Sequence, residues 1–161
     1  MAYISHSDES EVILSSHNER RWKRRDEELS GWAAAPKRRV RAKQTLCFGG
    51  ADVDAELLPA LTMFKRLGIE TEFSCAGVSL LDEPEEHSLY AYITFPASAR
   101  MEAFVSLAMK RMKHRLLVTY EPGRRRYDLS SFYIRHNRSF CLLVESCARA
   151  MLENAAEAGH P

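Results

Sequence analysis

A hydroxyl, a thiol and a glycine fall within four consecutive residues at Ser74-Cys75-Ala76-Gly77. The alternation of Ile69, Thr71 and Phe73 with Glu70 and Glu72 predicts a strand over 69–74. The four residues then sit at a strand end, where loops commonly carry binding and catalytic groups. The chemistry open to them is nucleophilic attack by the Cys75 thiolate. Such a nucleophile needs a histidine or a cation beside it, and the candidates are His87, His114, His136 and Arg138. Glu70 and Glu72 on the same strand work against a thiolate. The expectation is therefore a tight turn, with Ser74 capping backbone groups and Cys75 packed inside; a binding loop and a catalytic loop are the alternatives.

A second group is dense in ligand-binding side chains: Tyr133, Arg135, His136 and Arg138 precede or open a helical stretch that Asn137 or Ser139 can cap. Helix N-termini seat anions, and Arg135 and Arg138 flank this one. A third group is basic. Arg20, Arg21, Lys23, Arg24, Arg25, Lys37, Arg38, Arg39, Arg41 and Lys43 face only Asp26, Glu27 and Glu28, a local balance of +7 in a chain whose net charge is +1. Charge asymmetry of this kind marks an arm for phosphate backbones. A further basic cluster comprises Lys110, Arg111, Lys113, His114 and Arg115, then Arg124, Arg125 and Arg126. The acidic stretch Asp82-Glu83-Pro84-Glu85-Glu86-His87 lacks alternating ligand spacing and is expected to be a solvated loop. Cys47, Cys75, Cys141 and Cys147 form no C-x-x-C pair, and the six histidines form no H-x-x-x-H pair, so no metal and no cofactor is expected.

The stretch Gly68-Ile69-Glu70-Thr71 through Ser74-Cys75-Ala76-Gly77, followed by Tyr92-Ile93-Thr94-Phe95, resembles a pattern in small uncharacterised bacterial and phage proteins. It is also similar to the Ser-Cys-x-Gly-Arg motif of wybutosine-synthesising tRNA methyltransferases. That family's motif continues with Arg where this chain has Val78. The second resemblance implies an RNA-modifying enzyme; the first implies no particular activity.

These groups must be held by a fold. A length of 161 residues with a 45% hydrophobic fraction suits one domain with a real core. No apolar run reaches the roughly 18 residues of a membrane span, and Met1–Ser10 lacks the apolar core of a signal segment, so a cytoplasmic protein with no membrane association is expected. Residues 1–16 are expected to form a disordered tail and 17–43 a basic helical arm. Within the arm, Trp22, Leu29 and Trp32 share one stripe that should dock on the body. The domain proper is expected over 44–156. Its strands are predicted at Thr45–Phe48, Ile69–Ser74, Leu89–Phe95, Arg115–Glu121 and Arg125–Ile134. A helix reaches Leu67 from a cap at Asp52 or Asp54, with Pro59 an awkward guest and Gly68 its stop. Met101, Phe104, Val105, Ala108 and Met112 make an apolar stripe, and Phe140, Leu143, Val144, Cys147, Ala148 and Met151 another. The order β-α-β-β-α-β, then a strand and a helix, predicts an α+β fold with a ferredoxin-like core.

The function expected from these residues is a small binding protein that engages nucleic acid or another polyanion through the basic arm. The alternatives are an enzyme centred on Ser74–Gly77 and a structural or regulatory homodimer whose sheet face is the interface.

Overall fold

A computed structural model describes residues 11–37, 44–80 and 87–159. They form a mixed α+β domain with four α-helices, a five-stranded antiparallel sheet and a separate two-stranded sheet. The elements in chain order are β1 (Val12–Ile13), α1 (Glu19–Ala34), β2 (Thr45–Phe48), β3 (Ala51–Asp54), α2 (Leu58–Leu67), β4 (Ser74–Cys75), β5 (Tyr92–Pro96), α3 (Ala99–Met112), β6 (Leu116–Glu121), β7 (Arg126–Ser131) and α4 (Asn137–Ala158). Short 3-10 turns at Ala55–Leu57, Lys113–Arg115 and Ile134–His136 lead into α2, β6 and α4.

The five-stranded sheet has the order β1-β6-β7-β5-β4. Because β7 runs antiparallel to both β5 and β6, those two are parallel, and α3 crosses between them. One face of this sheet carries Ile93, Phe95, Leu116, Val118, Tyr127 and Leu129 into a core completed by α2, α3 and α4. The helical stripe of α3 is buried at all five expected positions, and Phe140, Val144, Cys147 and Ala148 are buried on α4. Phe64 meets Phe95 and Phe104 edge to face, each at 4.9 Å between ring centroids. That geometry adds to the area these rings bury.

Four expectations need correction. Thr45–Phe48 is a strand, but it pairs with Ala51–Asp54 in the small sheet and takes no place in the large one. The reason is the turn: Gly49 and Gly50 have φ of +58° and +84°. Positive φ at both central residues is what a tight two-residue hairpin requires. The β-α-β-β-α-β order expected of a ferredoxin-like core is therefore not reproduced, since its first strand lies elsewhere. Second, α2 starts only at Leu58, and Pro59 sits in its first turn, where its missing N–H costs nothing. Third, the strand expected over 69–74 narrows to Ser74–Cys75. Gly68, at φ +70°, ends α2, the Ile69 N–H is drawn back to the Phe64 carbonyl, and the Phe73 N–H goes to the Thr94 hydroxyl instead of the ladder. Fourth, Val12–Ile13 forms an edge strand on β6, and the Leu14 N–H reaches the Val118 carbonyl at 2.8 Å, within a segment expected to be disordered.

The second face of the large sheet is covered at one end by α1. Asn18 caps this helix by accepting the Arg21 N–H at 2.9 Å. Trp32 is buried against Val78 and Ile134, and its indole N–H donates to the Ser79 carbonyl at 3.1 Å. Trp22 packs with Leu117, Phe132 and Tyr133. The tryptophan stripe thus docks as its spacing predicts.

Candidate functional site

The Ser-Cys-Ala-Gly loop is held from two sides. The Ala76 N–H donates to the Asp54 carboxylate at 2.7 Å, so Asp54 clamps this loop and makes no side-chain cap to the turn that follows it. Asn137, at the start of α4, is 4% exposed. Its carbonyl oxygen accepts the Ala91 N–H at 2.9 Å, and its amide donates to the carbonyls of Val78 and Leu89 at 2.7 and 2.9 Å. Gly77, at φ +78°, lies beneath that amide; a Cβ there would come within 2.4 Å of Asn137 Nδ2 and 2.6 Å of the Ala91 nitrogen. Ser74 is half-buried, paired with Ile93 in the ladder. Cys75 is 6% exposed, and its sulfur accepts the N–H groups of Gly77 and Ser88 at 3.4 and 3.3 Å. The loop is a packed joint between β4 and α4. Sequence reasoning saw Asn137 only as a helix cap, and its reach to Val78 and Leu89 carries no local signal. Cys47 is exposed on the small hairpin, whereas burial pushes the pKa of the Cys141 thiol up to about 12 and raises that of Cys147.

The second expected group is built differently from a free anion seat. Asn137 faces inward, and Ser139 donates to the His136 carbonyl at 3.0 Å while accepting from Arg115 at 3.3 Å. Glu28 of α1 takes the N–H groups of Ile134 and Arg135 at 2.6 and 3.2 Å, so the chain's own carboxylate already fills the entry to the turn before α4. Glu28 also faces Arg135 Nε at 3.8 Å. Arg135 lies over the Tyr133 ring at 4.6 Å, His136 meets that ring edge-on at 5.4 Å, and the Tyr133 hydroxyl donates to the Arg21 carbonyl. Arg138 is exposed in the first turn of α4.

The basic segment divides into two roles. Arg25 is a docking residue: its guanidinium lies 3.9 Å over the Tyr90 ring and donates to the carbonyls of Ser131 and Phe132. Lys37 likewise sits over Trp32 at 3.8 Å and donates to its carbonyl. Arg20, Lys23 and Arg24 are exposed on α1, and Arg21 is half-buried at its N-terminal end. Arg38, Arg39, Arg41 and the acidic stretch 82–86 lie outside the described residues.

At the end of the sheet where β6 begins and β7 ends, cations and imidazoles from three elements meet. His17 stacks on Phe132 at 3.9 Å between centroids, and its Nε2 donates to the Leu116 carbonyl at 2.9 Å. Burial lowers its pKa, and Arg21, Arg25 and His114 lower it further, against the hydrogen bond to Leu116. His114 is lowered by burial and by Arg21, Arg115 and Lys113. His136 is lowered by burial and by Arg115, Arg135 and His114. Lys113, at φ +50°, makes the sharp turn that ends α3 here, a backbone conformation that a side chain other than glycine adopts at a cost. Among the described residues no group of three His, Cys, Asp or Glu is arranged to hold a metal ion.

The centre of the second sheet face holds a different feature. Asp128 is flanked in register by Thr94 and Thr119, but the Thr119 hydroxyl donates to Glu11 at 2.8 Å and the Thr94 hydroxyl is turned towards Phe73. Asp128 Oδ1 is buried without a hydrogen-bond partner. Burial, then the nearby Glu11, push its carboxyl up to about 7, against the pull of Arg126. Arg126 is held by Glu121 at 3.2 Å and by Glu72 at 3.4 Å.

Comparison with known proteins finds no family model, no curated protein and no solved structure that matches the chain. No helix among the described residues is long and apolar enough to cross a membrane.

Proposed function

We propose that the protein binds nucleic acid through its phosphate backbone, at the end of the sheet where the start of α1, the Lys113–Arg115 turn and the Ile134–His136 turn meet. One observation carries this reading. The fixed charges that act on the three imidazoles there are cations: Arg21, Arg25, Lys113, Arg115 and Arg135. A positive field on a surface attracts anions and steers them; Glu28 offsets part of it at Arg135, 3.8 Å from its Nε. Arg20, Lys23 and Arg24 extend it along the exposed side of α1. Arginine and lysine side chains of this kind suit positioning of a phosphate backbone rather than base readout. An enzyme centred on Ser74–Gly77 fits less well, because Cys75 is buried and its loop is clamped by Asp54 and Asn137. For the fold we infer a relative of the ferredoxin-like sheet in which the edge strand β4 precedes the β5-α3-β6-β7-α4 run, in place of following it.

The test is binding of single-stranded and duplex nucleic acid over a range of salt. Affinity should fall linearly on a log-log plot, and each of Arg21→Ala and Arg115→Ala should reduce the slope by about 1. Binding that ignores salt, or variants with an unchanged slope, would refute the assignment.

A further inference from the structure

We infer that the nucleic acid taken up at this end of the sheet is a double helix, held by its phosphates with no base stacked on the protein. The inference rests on the phosphate-binding reading above and names the form of the ligand.

Single strands and duplexes ask for different surfaces. Proteins that hold single strands without regard to sequence set aromatic faces in a basic groove, and each base stacked there adds to affinity. A duplex keeps its bases stacked on one another and needs no such face. It also carries about one charge per 1.7 Å of axis, twice the density of one strand, so each cation that meets it releases more counterion.

The rings at the sheet end are already occupied. Phe132 is fully buried; His17 stacks on it at 3.9 Å and Trp22 meets it edge-on at 5.0 Å. Trp22 in turn meets His17 edge-on at 5.8 Å and Arg25 at 6.0 Å. Tyr133 is 3% exposed, with Arg135 over its face at 4.6 Å and His136 against it at 5.4 Å. The Arg25 guanidinium covers the Tyr90 ring at 3.9 Å. Phe73 is the one exposed aromatic ring among the described residues. It lies towards the opposite end of β7, 6.0 Å from Arg126 and next to Glu72, which holds that arginine. Tyr92 is half-buried on β5, in register with Ser130.

Cations, by contrast, stand free on three helices around one turn. The Lys113–Arg115 turn is tied to two helix starts: His17, just before α1, donates to the Leu116 carbonyl at 2.9 Å, and Arg115 donates to Ser139 in the first turn of α4 at 3.3 Å. Lys23 and Arg24 of α1, Lys110 and Arg111 near the end of α3, and Arg138 of α4 are exposed. The exposed acids of α1 are Glu19, Asp26 and Glu27. They bound the cations on either side and confine the contact on that helix to residues 20–24. Side chains carried on helices form a pre-organised array, which suits a stiff ligand better than one that must be ordered on binding.

For about five phosphate contacts, log affinity falls against log salt with a slope of about −4.5 for a duplex and about −3.5 for a single strand. From a common value near 1 M salt, that difference grows to roughly twentyfold at about 50 mM.

The experiment is a fluorescence-anisotropy titration of the full chain with a duplex of about 20 base pairs and with each of its separated strands, between about 50 and 300 mM salt. The duplex should bind about tenfold or more tightly than either strand at the lowest salt, with the steeper slope. Phe73→Ser and Tyr92→Leu, each confirmed as folded by circular dichroism, should leave both affinities within about twofold of the wild type, since stacking on either ring would be lost in them. A strand that binds as tightly as the duplex overturns the inference and leaves the phosphate-binding reading standing. Loss of binding in either ring variant also overturns it, by assigning a stacked base. Absence of binding to duplex and strands alike at the lowest salt overturns both.

Discussion

Asn137 spends one side-chain amide on three backbone groups that lie 46 to 59 residues away in the chain. Each buried backbone group left without its partner costs roughly 1–3 kcal/mol. Asn137→Ala should therefore destabilise the protein by about 3 kcal/mol or more, read as a lower denaturant midpoint with an unchanged slope. Gly77→Ala attacks the same joint from the other side. Its new Cβ would stand 2.4 Å from Asn137 Nδ2 and 2.6 Å from a backbone nitrogen that cannot move aside, and φ +78° adds its own strain. A loss above about 2 kcal/mol is expected. Near-wild-type stability in either variant would mean that the loop is not the clamped joint described here. The sequence marked this loop as the place where chemistry would sit, because hydroxyl, thiol and glycine cluster there. What the sequence could not show is that Asp54 and Asn137, both distant, turn the cluster inward.

At the scale of elements, α1 is the part whose attachment is most exposed to test. Its docking rests on Trp32 at 9% exposure, on Trp22 against Phe132 at 5.0 Å, and on Arg25 over Tyr90. Trp32→Ala should cost about 3 kcal/mol, at the lower end for a large core aromatic because the site is at the edge of the body. Hydrogen exchange should show the loss concentrated in α1 and in the backbone of Val78 and Ile134. Uniform loss across the core would argue that α1 is integral to it. Elements of this kind were legible wherever a long amphipathic stripe met one apolar surface, as in α1, α3 and α4. Shorter ones were not. Thr45–Phe48 reads correctly as a strand, but its partner depends on the backbone angles of Gly49 and Gly50. The alternation over 69–74 is genuine, yet the Thr94 hydroxyl captures the Phe73 N–H and interrupts the pairing. Tyr133, Arg135 and His136 were each visible as candidates. Their meeting with Arg21 and His114 depends on the docking of α1 and on the Lys113–Arg115 turn, which no local pattern encodes.

Across the whole molecule, two sets of titrating groups pull stability in opposite directions. Asp128 has a folded pKa of about 7 against an ordinary 3.8. Between those values the folded chain holds a proton that the unfolded chain has released. Its contribution is therefore fully present below about 3.8 and is lost as pH rises through about 7, at up to about 1.4 kcal/mol per pH unit. His17, His114 and His136 have folded pKa values below the ordinary 6.5. Below 6.5 the unfolded chain takes up protons that the folded chain resists, so their contribution is full above 6.5 and is lost on acidification. In the wild type the two effects offset one another between about pH 4 and pH 6.5, which should leave a shallow profile there. Asp128→Asn removes the acid-stabilised member. Its melting temperature should fall more steeply than the wild type's as pH drops from about 6.5, and it should gain on the wild type above pH 7, where the native carboxylate is ionised and Oδ1 has no donor. The His114→Gln/His136→Gln variant should show the converse, a melting temperature that holds or rises on acidification over the same interval. Parallel profiles for all three proteins would show that neither set is perturbed by folding, and would withdraw the electrostatic basis on which the site at the sheet end is assigned.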